Sequence, residues 1–254
     1  MLSPDRSAFL EAARCGATFI PVAHSWPADL ETPLTTWLKV GEGHPPGVLL
    51  ESVEGGENLG RWSVIACDPL WTLSARGDAL TRRWRDGHEE SFQGNPLEVL
   101  RECTNAYKPV SLPGLPPLGQ LYGMWGYELI RWIEPSVPVH QTDESAPPDG
   151  VWMLMDSILI IDQVKRLITA VAYGDLSATR AAAKTADQAW DGAMGRIHAL
   201  ENHMASPLPQ VRPLRWKPAA RPTPETESNR SPEDYQQAVA TAQEHIAAGD
   251  AFQL

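Results

Sequence analysis

Hydrophobic positions along this chain change period several times, and each change marks an element. In residues 5–16, Phe9, Ala12 and Ala13 share one face at helical spacing, and Gly16 supplies the stop. From Gly47 the repeat drops to two residues. Val48 to Val53 and Trp62 to Cys67 read as strands, joined by the glycine-rich stretch Glu54 to Gly60. Leu70 to Ala75 and Ala79 to Trp84 alternate as a hairpin turning at Arg76-Gly77-Asp78, and Asp86-Gly87 leads into a strand ending near Phe92. The basic run Arg82-Arg83-x-Arg85 reads as the exposed face of that hairpin.

Asn95-Pro96-Leu97-Glu98 has the grammar of a helix start: a capping side chain, a proline whose φ is preset, and an acid beside the unpaired N–H groups. The helix is predicted over 95–107 with Leu97, Leu100 and Tyr107 on its buried side. A proline-rich loop from Pro109 to Pro117 follows. Leu118 to Tyr127 reads as a strand interrupted by Gly119, Gly123 and Gly126, and glycine inside a strand implies bulges or close backbone approach. Glu128 to Ile133 makes a helical turn or two. Val151 to Met155 and Ser157 to Ile161 are strands, Asp162 to Arg166 a turn, and Leu167 to Tyr173 the returning strand.

Residues 177–204 are alanine-rich and helical, anchored by Trp190, Ile197 and Leu200. Six prolines between Ser206 and Arg230 resist packing and mark a linker. Ser231-Pro232-Glu233-Asp234 then opens the clearest helix, 232–248, with Tyr235, Val239, Ala242 and Ile246 as its apolar stripe and Gly249 as its end. Asp250 to Leu254 opens a further strand, and a strand begun with nothing after it reads as truncation. The hairpins and short connections predict an α+β fold of mostly antiparallel sheet between 47 and 173 with flanking helices. Three regions follow: a domain over 1–205, a linker over 206–230, and the start of a second domain over 231–254.

Charge narrows the function. The 254 residues carry 21 Lys and Arg against 32 Asp and Glu, a net −11, with no basic cluster to neutralise phosphates. Nucleic acid is therefore not an expected partner. The apolar run at Ile158 to Ile161 is far too short to span a bilayer, and the N-terminus lacks the apolar core of a signal peptide. Three widely spaced cysteines (Cys15, Cys67 and Cys103) fit reduced thiols better than a disulfide framework, so a cytoplasmic location is expected. No GxSxG, P-loop or HExxH signature occurs, and no catalytic residue or metal site is expected in this stretch.

One cluster offers both signs of charge beside a glycine-rich loop: Leu49-Leu50-Glu51-Ser52 with Gly60-Arg61-Trp62-Ser63. An amino-acid zwitterion needs a carboxylate for its ammonium and a guanidinium for its carboxylate. An edge strand with polar residues facing water is the simpler account on chemistry alone, and both readings stand at this point.

Four segments in order along the chain resemble anthranilate synthase component I, a family of chorismate-utilising enzymes. They are the cluster just named; Gly119 to Glu134, GQLYGMWGYELIRWIE, similar to the family's GYxxYD-plus-helix segment with Glu128 where Asp is usual; Pro148-Asp149 through Asp162; and Tyr235…Ile246-x-x-Gly249-Asp250-Ala251-Phe252-Gln253, similar to the entry into the chorismate-binding domain. The resemblance implies conversion of chorismate to anthranilate, with ammonia from glutamine supplied by a glutamine amidotransferase subunit, component II. It implies feedback inhibition by L-tryptophan bound at Glu51 and Ser52, with Arg61 and Ser63 beside them. It places the Mg²⁺ and chorismate ligands beyond residue 254, so the fragment alone is expected to be inactive. Aminodeoxychorismate synthase component I is the alternative, and Glu51 favours the anthranilate branch.

Overall fold

The computed structural model describes residues 2–41, 46–51, 60–116, 120–134, 136–137, 146–177, 179, 184–209 and 228–253. It divides into two compact units, Met1–Pro209 and Gln210–Leu254. Most of the linker predicted over 206–230 lies outside the described residues.

The first unit is built on two antiparallel sheets. Its elements in chain order are β1 (Leu2–Ser3), α1 (Arg6–Arg14), β2 (Phe19–Pro27), α2 (Pro33–Gly41), β3 (Gly47–Leu50), β4 (Trp62–Cys67), β5 (Trp71–Arg76), β6 (Ala79–Trp84), β7 (Glu89–Gln93), α3 (Pro96–Asn105), β8 (Leu121–Trp125), a 3-10 turn (Tyr127–Trp132), β9 (Gly150–Leu154), β10 (Ser157–Asp162), β11 (Leu167–Asp175) and α4 (Ala186–Ala205). The first sheet has strand order β1-β2-β11-β10-β4-β3, and the second β7-β6-β5-β9-β8. Every strand pair in the two sheets is antiparallel, as the α+β reading expected.

The first sheet is covered on both faces. Period-two alternation sends Val64, Ile158, Ile160, Val171 and Tyr173 toward a core shared with Trp71, Leu73, Trp152 and Leu154 of the second sheet and with Val99 and Cys103 of α3. The intervening residues Ile65, Leu159, Ile161, Ile168 and Ala170 face the opposite way, where α1, α2 and α4 supply Phe9, Val40, Trp190 and Ile197. A strand buried on both faces shows a continuous apolar run, which is why Ser157 to Ile161 stood out without alternating.

The chain passes from β9 of the second sheet to β10 of the first through Met155 and Asp156 alone. Asp156 is buried, and its carboxylate accepts from Arg85 Nη1 at 3.1 Å and Nη2 at 2.6 Å. Arg196 Nε of α4 lies 3.4 Å from the same carboxylate. The Asp156 carbonyl accepts from Tyr173 N at 2.8 Å, so one residue joins both sheets and a helix.

Several expectations are corrected. Strand β2 and helix α2 were not foreseen. Pro21 and Pro27 argue against a strand, yet Pro21 lies in β2 beyond the two positions, Ala23 and His24, where β1 pairs. Arg82 is not on the exposed face: alternation turns it inward, beneath the Trp71, Trp84 and Phe92 rings, where it pairs with Glu90, while Arg83 faces water. Helix α4 begins at Ala186, not 177, because Thr185 and Gln188 form a reciprocal capping box there. Val99 and Cys103, rather than Leu97, carry the buried side of α3. The interrupted strand does involve close approach: a Cβ on Gly123 would collide with the Val151 carbonyl and the Trp152 indole. The remaining predicted segment of the Val48–Val53 strand after Glu51, like Leu118 and Gly119, lies outside the described residues.

The second unit holds α5 (Pro232–Ala248). Ser231 Oγ accepts from Asp234 N at 3.1 Å, and Gly249 ends the helix at φ 83°. No residue of α5 is buried, and Tyr235, Val239 and Ile246 all face water. Residues 250–253 form no strand, since a strand requires a neighbour to satisfy its backbone.

Two outcomes follow from this packing. Gly123→Ala should destabilise the first unit by about 1–3 kcal/mol through overpacking against Trp152, read as a lower urea midpoint; an unchanged midpoint would contradict the close contact. Amide exchange across 232–248 should be much faster than across β10 and β11, because a helix without burial draws little stability from its sequence.

Candidate functional site

The described residues of the predicted cluster lie toward one end of the first sheet. There β3 leaves its last paired residue, Leu50 opposite Val64, while Trp62 of β4 pairs with Asp162, the last residue of β10. Residues 163–166 then turn the chain into β11, with Arg166 at φ 52°.

Asp162 organises this end. It is buried, and its Oδ1 accepts from the backbone N–H groups of Val164 at 3.1 Å and Lys165 at 3.0 Å. The same carboxylate takes a two-pronged contact from Arg61, Nε to Oδ1 at 3.0 Å and Nη2 to Oδ2 at 2.7 Å. The Arg61 carbonyl accepts from Gln163 N at 2.9 Å, and its guanidinium carbon lies 4.4 Å from the Trp62 ring centroid. Burial opposes ionisation of Asp162, but the Arg61 guanidinium and the N–H groups of Lys165 and Val164 outweigh it and hold the carboxyl below its ordinary range. The hydrogen bond to Asp162 in turn raises the Arg61 pKa.

The predicted residues occupy distinct settings. Glu51 follows β3 directly and is exposed. Ser63 is fully buried on β4, alternating with Trp62 and Val64, and its Oγ accepts from Gln163 Nε2 at 3.4 Å. Arg61 stands at the sheet end with its fork on Asp162. Ser52 lies outside the described residues. From the sequence Asp162 opens a turn and closes the Pro148–Asp162 segment, with no role at the site; its Arg61 partner lies 101 positions away, and an aspartate opening a tight turn is the local signal.

A cavity of about 270 Å³ opens on the inner face of the same sheet, floored by Ile160, Val171 and Tyr173 and roofed by the loop carrying Pro109, Leu112 and Leu115. Gln120 Nε2 donates to Tyr173 Oη at its back. Among the described residues, none that lines it is charged. Among the described residues, no cluster of His, Cys, Asp or Glu side chains comes together to hold a metal ion, so these residues do not fit a Mg²⁺ site. Two of the thiols are poorly suited to attack: burial pushes Cys67 up to about 11 and raises Cys103 as well. Among the described residues, no helix is long and apolar enough to cross a membrane.

Comparison with known proteins supplies the family. A family model described as chorismate binding enzyme matches residues 48–254. Anthranilate synthase component 1 of Synechocystis sp. is 46% identical over 259 residues, covering 100% of this chain and 50% of that protein. The proteins of the same name from Pseudomonas putida and Pseudomonas aeruginosa are 30% and 31% identical, each covering 98% of this chain and 50% of the relative. Among solved structures, anthranilate synthase component I from Streptococcus pneumoniae TIGR4 is 21% identical with a TM-score of 0.49, covering 89% of this chain and 46% of that one. The chain thus spans about half the length of the curated relatives it matches.

Asp162 carries a pH signature. A carboxyl whose folded pKa is depressed contributes stability above its unfolded pKa, and that contribution fades as pH falls through the folded value. Asp162→Asn should lower unfolding free energy at neutral pH by about 1.5–3 kcal/mol, the usual worth of hydrogen bonds to a charged group. It should also flatten the acid limb of the stability profile. Denaturant titrations between pH 7 and pH 3 read both, and an acid limb identical to wild type would refute the assigned role.

Proposed function

The chain belongs to the chorismate binding enzyme family, and from that premise we propose that it is the effector-binding portion of an anthranilate synthase component I. The observation that carries this reading is the 46% identity, along the whole chain, to a protein of that name. In this reading the complete enzyme converts chorismate to anthranilate with ammonia that a glutamine amidotransferase subunit releases from glutamine. Mg²⁺ and chorismate are held by residues outside those described, and the present chain alone turns over no chorismate.

The effector in this reading is L-tryptophan, held at the end of the first sheet. Glu51, exposed just past β3, answers the ammonium group or fixes the strand that does so. Arg61 answers the carboxylate from its seat on Asp162 and Trp62. Ser52 contributes a hydroxyl that both donates and accepts, and Ser63 supports the row from within the sheet. Opposite charges at fixed spacing select an α-amino acid over an amine or an acid alone, because either alternative leaves one protein charge without its partner.

Ser52→Ala in the complete enzyme should raise the tryptophan concentration for half-inhibition by roughly 10- to 150-fold, the equivalent of one hydrogen bond to a charged group. Each variant is compared with its own uninhibited rate. An inhibition curve superimposable on wild type would overturn the assignment.

A further inference from the structure

We propose that Asp162 is a positioning residue for the effector: it fixes the Arg61 guanidinium so that the remaining edge of that group reads the effector's carboxylate. The inference rests on the reading that L-tryptophan is bound here, and extends it to a residue outside the predicted set.

The geometry carries the argument. A guanidinium presents its N–H donors along fixed edges of a plane. Asp162 occupies the edge formed by Nε and Nη2, at 3.0 and 2.7 Å. Among the described residues no bond engages Nη1, which therefore projects along a direction that Asp162 sets. Trp62 lies under the plane at 4.4 Å and restricts its tilt. Asp162 is itself immobilised, since Val164 N and Lys165 N bind it from the turn and its side chain is only 6% exposed. Arg61 is 28% exposed, enough to meet a ligand from solvent while its stem stays anchored. An arginine side chain left free would lose rotamer entropy on binding a carboxylate; here that ordering is done in advance by folding.

A carboxylate also competes for the same cation, so Asp162 weakens the raw charge that Arg61 offers. Orientation wins over this loss because the site is partly open to water, where an unpositioned ion pair contributes little while a fixed one retains its hydrogen-bond geometry. Selectivity follows. A ligand lacking the carboxylate makes no use of the Nη1 edge and gains nothing from Asp162.

The test compares L-tryptophan with L-tryptophanamide, which keeps the ring and ammonium but lacks the carboxylate, as inhibitors of the complete enzyme. Wild type should prefer tryptophan. In Asp162→Asn the half-inhibiting concentration of tryptophan should rise roughly 10- to 100-fold while that of the amide changes little, so the preference collapses. A general loosening of the fold would weaken both ligands together and leave their ratio intact. Should Asp162→Asn fail to fold, Asp162→Glu keeps the charge but displaces it by one methylene, and must lower the same ratio. A wild-type ratio in either folded variant overturns the role of Asp162. A wild-type enzyme indifferent to tryptophan overturns the effector reading itself, so the two failures are distinct.

Discussion

A buried carboxylate must be paired or it costs several kcal/mol, and the architecture of the first unit depends on how Asp156 meets that requirement. Asp156 sits where the chain leaves one sheet for the other, and its partners come from elsewhere: Arg85 from the end of the second sheet's hairpin, Arg196 from the long helix. Arg85 is also held by the Asp68 carboxylate at the base of its hairpin, and Arg196 also donates to the Tyr173 carbonyl. The Asp156 carboxylate alone gathers both guanidinium groups, and it does so only when both sheets and α4 have docked, so the cluster couples their assembly. The hydrophobic layers supply the larger driving force, but apolar contacts are not directional, and the charged knot fixes which edges meet.

Asp162 repeats the arrangement at the far end of the same strand, with one difference. The Asp162 carboxylate is met by one guanidinium and two backbone N–H groups of a turn, where Asp156 is met by guanidinium groups from two elements. Strand β10 thus has a buried carboxylate just before it and another at its last position. Between them every residue from Ile158 to Ile161 is buried. The strand is held at both ends and covered on both faces, which makes it a rigid base for whatever forms beyond Trp62.

Much of this was legible in the sequence. Caps at Asn95 and Ser231, the turn at Gly77 and the hairpin of β10 and β11 all follow from local chemistry and appear where expected. Strand β2 did not, because its two prolines mimic a loop, and the compensation lies in which neighbour pairs at each position. Arg82 was misplaced because a basic run invites a single exposed face, whereas period two divides Arg82 from Arg83 and aromatic rings make the inward place tolerable. For the candidate site, the motif singled out Glu51 and Arg61, which the structure places just past β3 and just before β4. The pairing of Asp162 with Arg61 was not legible, because the two lie 101 positions apart and only the turn at Asp162 has a local signal.

The double duty of Asp162 ties the shape of the sheet end to its charge. Its carboxylate both closes the turn into β11 and seats the guanidinium of Arg61, so no substitution there alters one task without the other. Glu51, by contrast, is exposed just past the last residue of β3. The sheet end thus sets a fixed corner, built by one carboxylate, beside a side chain open to solvent.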